Sequence, residues 1–297
     1  AEQRISYGWE KRYVGTIWGF AWPLLANGFL MFFSQQADQF AVASFLTLGD
    51  VAIYSLAFTL ASLPWFLFGQ VSSSLMLPLL SAVQDDPPRF KANYRICADL
   101  SAVASIFLTL PLIVAGEQVV TLLYGQKYSG AGPVLAILGV TSAVRFLRFV
   151  PAVCAMSKAD TGNLLFSNLW RAGSLPIVLV VAFLGGGATE IAVSALVGEL
   201  MATGASFWRL RSRQNIPLSA SIPALGYVGF FSVMAMFVGW FAGKWSFVVV
   251  AAVVMAGFLG AGAAGYIFFP RAVEAARSIL GRKVIPHPQP MPATTGD

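Results

Sequence analysis

Basic residues recur in step with the long apolar segments of this chain. We count about eight apolar segments of the roughly 20 residues that a bilayer-crossing helix needs, separated by short polar breaks. All but Lys127 and Lys244 of the 19 Lys and Arg residues fall at one set of segment ends. Helical membrane proteins keep such positive charge on the cytoplasmic side. The pattern predicts an all-α, polytopic helical membrane protein with about eight transmembrane helices and both termini in the cytoplasm.

Composition leads to the same class of protein. Hydrophobic residues make up 57% of the chain and charged residues 11%, whereas soluble domains contain roughly 25% charged residues. A formal net charge of +6 raises the question of a nucleic-acid partner. The basic residues lie at helix ends rather than in a compact patch among exposed aromatic residues, so no nucleic acid is expected. We expect them to set the topology and to contact anionic lipid headgroups.

Motifs for catalysis or cofactor binding do not emerge from the sequence. Gly260, Gly262 and Gly265 have the spacing of a dinucleotide-binding fingerprint, but that motif requires a preceding strand. Here the glycines lie inside an apolar segment, where small residues favour close helix packing. The chain has one histidine, His287, and no phosphate-binding loop. We therefore predict that it is not an enzyme and that it has neither a cofactor nor a metal site.

Four regions are expected along the chain: a cytoplasmic interfacial lead-in (1–13), a transmembrane helical domain (14–269), a basic juxtamembrane segment (270–285) and a disordered Pro-rich cytoplasmic tail (286–297). The predicted spans are 14–46, 53–83, 100–115, 131–153, 163–184, 189–210, 222–242 and 245–269. Residues 84–91 are predicted to form a cytoplasmic turn, and an amphipathic stretch near 117–128 is predicted at the outer interface.

Cys97 and Cys154 both border predicted cytoplasmic loops, and no disulfide framework is indicated. Because the chain does not begin with Met, we expect it to be part of a longer protein.

A carboxylate at membrane depth is the first candidate for a functional side chain. Asp38 lies in the outer half of the first predicted span, beside Gln35, Gln36 and Gln39. An ionisable group in the bilayer is costly unless it is paired, buried or hydrated, so it is a functional hypothesis by default. Asp38 could bind a proton or a sodium ion and couple it to transport. Alternatively, it could pair with a neighbouring polar group and lock the packing of the helices.

Arginines in two predicted spans form the second candidate. Arg145 and Arg148 are three residues apart and so share a helix face, and Arg171 follows Asn168 in the fifth span. Guanidinium groups bind phosphate oxygens through a rigid, permanently charged fork. We predict that these four residues bind a diphosphate in an inward-facing cavity; the alternative is that some arginines extend to the interface. Glu199, in the sixth span, is expected to couple ions or to be the counter-charge of Arg171.

Several packing and turn segments, mainly within residues 15–160, carry a family resemblance. They are Asp38-Gln-Phe-Ala-Val-Ala-Ser-Phe-Leu, Ala52-Ile-Tyr-Ser-Leu-Ala, Pro78-Leu-Leu-Ser-Ala-Val, Asp85-Asp-Pro-Pro-Arg-Phe, Leu123-Tyr-Gly-Gln-Lys-Tyr and Gly132-Pro-Val-Leu-Ala-Ile-Leu. This set resembles the polysaccharide biosynthesis flippases, which handle O-antigen or exopolysaccharide repeat units. That family is part of a superfamily that also contains multidrug exporters and peptidoglycan lipid flippases.

The resemblance implies a fold and a function. The chain looks like the second lobe plus two extra helices of a fourteen-helix flippase, with its first six spans forming one lobe. The family moves undecaprenyl-diphosphate-linked oligosaccharides across the bacterial inner membrane by alternating access. The implied partners are this lipid-linked oligosaccharide, membrane lipids, and polysaccharide polymerase or assembly proteins.

Three alternatives stay open at this stage. A multidrug or cation antiporter of the same superfamily would favour an acidic, aromatic cavity, and the inner-half arginines argue against it. A membrane glycosyltransferase would need a large extramembrane loop, which the sequence does not offer. A non-transporting membrane component of a polysaccharide assembly complex is compatible with everything in the sequence.

Overall fold

The computed structural model describes residues 11–281, and every regular element in that range is helical. The helices are α1 (Lys11–Phe45), α2 (Leu48–Ser81), α3 (Pro87–Val114), α4 (Gly116–Tyr124), α5 (Ala131–Met156), α6 (Gly162–Ala172), α7 (Leu175–Phe183), α8 (Ala188–Gln214), α9 (Ile222–Ala242), α10 (Phe247–Phe268) and α11 (Pro270–Gly281). Short 3₁₀ turns precede α5 and α9. The predicted lead-in up to residue 10, the end of the juxtamembrane segment and the Pro-rich tail lie outside the described residues.

Seven segments of the described range are long and apolar enough to cross a membrane. They are α2, α3, α5, the α6–α7 pair, α8, α9 and α10. Helix α1 lies at the first predicted span and is 35 residues long, with a shorter apolar stretch at Ile17–Leu30. The prediction of an all-α polytopic membrane protein is confirmed.

The start of α3 differs from the sequence prediction. The turn expected over 84–91 ends at Asp86, so α3 begins about three and a half helical turns before the predicted span. The Asp86 side chain accepts a hydrogen bond from the Arg89 backbone N–H at 3.2 Å, which caps the helix. Pro87 and Pro88 occupy the first turn, where a missing N–H costs nothing because it has no helical partner.

Helix α5 is the centre of the bundle, and most of its residues are buried. It packs against α2, α3 and α8. One buried apolar cluster gathers around α3, α5 and α9, and a second around α2, α5 and the start of α8. Polar residues on α5 are therefore placed in the interior by the packing of their own helix.

A break interrupts the fifth predicted span. Helix α6 ends at Ala172 and α7 begins at Leu175, and the Ser174 hydroxyl donates to the Arg171 carbonyl oxygen at 2.7 Å. Helix α8 approaches this break at Gly198, where a Cβ atom would collide with the Ser174 side chain and lie 3.3 Å from the Arg171 carbonyl oxygen. Gly173 and Ser174 keep backbone angles in the right-handed helical region, so the span continues across this local interruption, and α8 packs against α6 beside it.

Candidate functional site

Three arginines surround one buried glutamate in the interior of the bundle. Arg145 and Arg148 come from α5, Arg171 from α6 and Glu199 from α8. Arg148 Nε lies 2.6 Å from Glu199 Oε1, whereas Arg145 Nε and Arg171 Nε lie 3.2 and 3.5 Å from Oε2. Glu199 is fully buried and the arginines are 4–6% exposed. Such a cluster is stable only because each charge has an opposite charge beside it.

Local sequence explains why these side chains meet. The three-residue spacing of Arg145 and Arg148 puts both on one face of the most buried helix. Gly198 precedes Glu199, so α8 can approach the α6–α7 break closely enough for the carboxylate to reach Arg171. The position of the charged cluster thus follows from helix spacing on α5 and a missing side chain on α8.

Hydrogen bonds extend the cluster to α1. Arg148 Nη1 donates to Asn168 Oδ1 at 2.9 Å and to Ser167 Oγ at 3.1 Å. Asn168 Nδ2 in turn donates to Asn27 Oδ1 at 2.6 Å. Glu199, Arg148, Asn168 and Asn27 therefore form a continuous chain through α8, α5, α6 and α1. A shift of α1 or α6 relative to α5 would change the partners of Arg148.

Two polar atoms at the site have no hydrogen-bond partner among the described residues. These atoms are Arg171 Nη1 and Tyr54 Oη, and both are buried. Asp38 is 4% exposed and makes no ion pair in the same range, although its charge acts on Arg171, Arg145 and Tyr54. Buried polar groups without partners are rare in folded proteins and call for an explanation. Here Asp38 belongs to α1, Tyr54 to α2 and Arg171 to α6.

The formal charges at the site leave one positive charge in excess. Arg145, Arg148 and Arg171 contribute three positive charges, and Glu199 and Asp38 contribute two negative ones. Low local dielectric strengthens the attraction of such a site for an anion. The arrangement can therefore accept a further negative group more readily than a cation.

The structure brings most of the predicted site residues together. Arg145, Arg148, Arg171 and Asn168 share one network with Glu199, and Asp38 lies nearby without an ion pair to the arginines in the described part of the chain. The guanidinium groups face Glu199 in a closed interior rather than the open inward cavity that we expected. The alternative in which these arginines extend to the interface is wrong, because they are at most 6% exposed.

Several members of this network were not predicted from the sequence. Asn27 is a polar residue at membrane depth, so the rule that identified Asp38 also applies to it. It precedes Asp38 by eleven residues, about three helical turns, so both share one face of α1. Trp65 lies in the middle of α2, where its ring is 5.7 Å from the Arg145 guanidinium carbon and stacks on Phe146. Contacts between side chains of different helices cannot be recognised from the sequence alone.

The N-terminal part of the chain is similar to a known protein family. Residues 1–133 match a family model described as polysaccharide biosynthesis protein. The chain is also similar to the lipopolysaccharide biosynthesis protein WzxC of Escherichia coli (strain K12), with 21% identity over 188 residues. That region is 63% of this chain and 38% of the relative, so the match spans less than half of the relative's length. No solved structure matches the chain. The resemblance predicted from the sequence is confirmed.

Proposed function

We propose that this chain, whose first 133 residues match the polysaccharide biosynthesis family, acts as a flippase for undecaprenyl-diphosphate-linked oligosaccharides in the bacterial inner membrane. The observation that carries the proposal is the buried cluster of Arg145, Arg148 and Arg171 around Glu199. The diphosphate is the negatively charged part of such a substrate. When it leaves water, it needs several guanidinium groups as partners. The match to a lipopolysaccharide biosynthesis protein supports a sugar-linked lipid as the cargo.

In the proposed mechanism, Glu199 holds the arginines in place while no substrate is bound. The diphosphate first binds Nη1 of Arg171, which has no hydrogen-bond partner among the described residues, and then competes with Glu199 for Arg145 and Arg148. Each charge-assisted hydrogen bond contributes about 1.5–3 kcal/mol, so several of them compensate for releasing the carboxylate. The oligosaccharide would occupy a hydrated part of the transporter, and the polyprenyl chain would stay in the bilayer.

Movement of α1 and α6 would convert binding into alternating access. Asn168 contacts both Arg148 and Asn27, so a change at the arginines is transmitted directly to α1. The α6–α7 break provides a point at which α6 can tilt. Asp38, on the same face of α1 as Asn27, would bind a proton or a sodium ion and drive the return step. With the basic loops inside, both termini would be cytoplasmic. Polysaccharide polymerase or assembly proteins would be further partners of the transporter.

The charge of the site distinguishes this proposal from a multidrug antiporter. A cationic drug would need more carboxylates than cations at its binding site. Here three arginines face Glu199 and Asp38, and the excess is positive. A purely structural role would not require this excess of positive charge, because a single ion pair would lock the packing of the helices equally well.

Ligand binding by the purified protein tests the proposal. In lipid nanodiscs, the protein should bind an undecaprenyl-diphosphate oligosaccharide more tightly than the same lipid with a monophosphate. Arg171→Ala should weaken diphosphate binding by roughly ten- to a hundredfold, the size of one charge-assisted hydrogen bond. Arg211→Ala is the matched control, because Arg211 is an exposed arginine on α8. Equal binding by the parent, Arg145→Ala and Arg171→Ala would contradict the diphosphate site.

A further inference from the structure

A second polar site lies in a cavity away from the arginine cluster. The cavity measures about 840 Å³ and lies between α3, α9, α10 and α11, within the usual size of small-molecule pockets. Phe230 and Phe231 of α9 and Phe268 of α10 line it. Phe230 is 62% and Phe268 70% exposed, so the aromatic walls open sideways to the surroundings of the bundle. In a membrane those surroundings are lipid.

The charged end of this cavity is formed by Arg95, Asp99 and Arg271. Asp99 is 5% exposed, and its Oδ1 atom has no hydrogen-bond partner within residues 11–281. Both arginine charges act on Asp99, but neither guanidinium forms an ion pair with it at 4.0 Å or less. The carboxylate and the arginines are thus close enough to share a ligand and too far apart to satisfy one another.

We propose that this cavity binds the headgroup of a phospholipid that carries a primary amine, namely a phosphatidylethanolamine. The phosphate contacts Arg95 and Arg271, and the ammonium group donates to Asp99. The two opposite charges of this headgroup are separated by two carbon atoms, so it bridges groups that do not pair directly. Its acyl chains continue along the aromatic wall into the bilayer.

Charge complementarity selects this lipid among the obvious occupants. An anionic headgroup without an amine would bind the arginines but leave the buried Asp99 oxygen without a donor and repel its charge. A lipophilic cation would suit Asp99 but meet two arginines. A choline headgroup has both charges, yet its quaternary nitrogen has no N–H to donate. The proposal does not depend on the function proposed above, because it uses none of the same residues.

Two hydrogen bonds between helices fix the walls of the cavity before any ligand binds. Tyr94 and Ser221 hydrogen-bond through their hydroxyl groups at 2.7 Å and connect α3 to the start of α9. The Tyr227 hydroxyl donates to the Ala261 carbonyl oxygen, also at 2.7 Å, and connects α9 to α10. A pre-formed cavity loses less conformational entropy on binding, which favours a specific lipid over general solvation by the bilayer.

Native mass spectrometry of the purified, delipidated protein tests the proposal. The protein is incubated with phosphatidylethanolamine, phosphatidylcholine or phosphatidylglycerol of identical acyl chains, and no diphosphate substrate is present. We expect about tenfold tighter retention of the ethanolamine lipid than of the choline lipid, the size of one charge-assisted hydrogen bond. This comparison needs no variant. Equal retention of these two lipids would overturn the proposal, and stronger retention of phosphatidylglycerol would show an anionic-lipid site instead.

Substitutions of the charged residues in the cavity test where the lipid headgroup binds. Asp99→Asn should abolish the preference for ethanolamine over choline, and the double change Arg95→Gln and Arg271→Gln should reduce retention of both lipids about tenfold. Arg211→Gln, at an exposed arginine outside the cavity, should retain lipid as the parent does. An unchanged preference in a monodisperse Asp99→Asn protein would contradict the assignment of the ammonium group to Asp99.

Discussion

Arg148 Nε lies 2.6 Å from Glu199 Oε1 and forms the shortest ion pair in the described part of the chain. Both side chains are buried, so the pair joins α5 to α8 without help from water. Removing one member of such a pair leaves an uncompensated charge and typically costs about 3–5 kcal/mol. The pair is therefore a structural element of the closed bundle as well as a candidate part of the transport cycle.

Glu199→Gln should lower thermal stability in the absence of substrate and increase the affinity for a diphosphate. The neutral amide keeps the shape of the side chain but removes the carboxylate with which all three guanidinium groups pair. Bound diphosphate should therefore raise the melting temperature of the variant more than that of the parent. Thermal unfolding in detergent with and without the diphosphate lipid measures both effects. An equal ligand-induced shift in the two proteins would mean that Glu199 does not compete with the substrate.

Asn27→Ala and Asn168→Ala should show coupled effects on stability. Their side chains share a 2.6 Å hydrogen bond, and a neutral hydrogen bond contributes about 0.5–1.5 kcal/mol. The double variant should therefore be less destabilised than the sum of the single variants, by about that amount. A double-mutant cycle of unfolding free energies provides the measurement. Strict additivity would show that α1 and α6 are not coupled through these amides.

Gly198→Ala should destabilise the protein by about 1–3 kcal/mol, the usual cost of overpacking a tight contact. The added methyl group would meet Ser174 and the Arg171 carbonyl oxygen at the α6–α7 break. Gly204→Ala is the matched control, because Gly204 lies on the same helix with nothing within 4 Å of the added atom. The control should be neutral or slightly stabilising, since Ala favours helix more than Gly. Comparable melting temperatures for both variants would refute the close approach of α8.

Cysteine labelling should decide the predicted orientation in the membrane. Cys97 and Cys154 are 1% and 0% exposed, so the native thiols are poor reporters of the side on which they lie. Cysteines at the exposed positions Ser212 and Leu184 should lie on opposite sides. In intact cells, a membrane-impermeant thiol reagent should modify Leu184→Cys and spare Ser212→Cys until the cells are permeabilised. The reverse pattern would place the basic loops outside.

Asp38→Asn should preserve or slightly strengthen diphosphate binding and reduce transport driven by an ion gradient. Asp38 makes no ion pair in the described part of the chain, although the charges of Arg171 and Arg145 act on it. Losing its charge should therefore leave the arginine cluster intact while removing the proposed ion site. Lipid-linked oligosaccharide transport into proteoliposomes, with and without an imposed gradient, separates the two functions. Unchanged gradient dependence would exclude Asp38 as the coupling residue.

The long apolar segments of the sequence were sufficient to predict an all-α polytopic membrane fold. Apolar segments must be helical in a bilayer because every backbone N–H and C=O needs an internal partner. The helix bounds could not be read as accurately at α3, because the Asp86 cap and the two prolines extend the helix beyond the apolar segment. The α6–α7 break was missed because Gly173 and Ser174 interrupt the helix without interrupting its apolar character.

The identities of the charged residues at membrane depth were determined by the sequence, because a lone carboxylate or guanidinium in an apolar segment is visible without coordinates. Their partners were decided by the tertiary structure. Glu199 was expected to pair with Arg171, yet its closest contact is Arg148, because α5 and α8 pack side by side. Asn27 and Asp99 acquired their significance in the same way. Whether a buried polar atom has a partner depends on a neighbouring helix distant in sequence, and only the packed bundle specifies that neighbour.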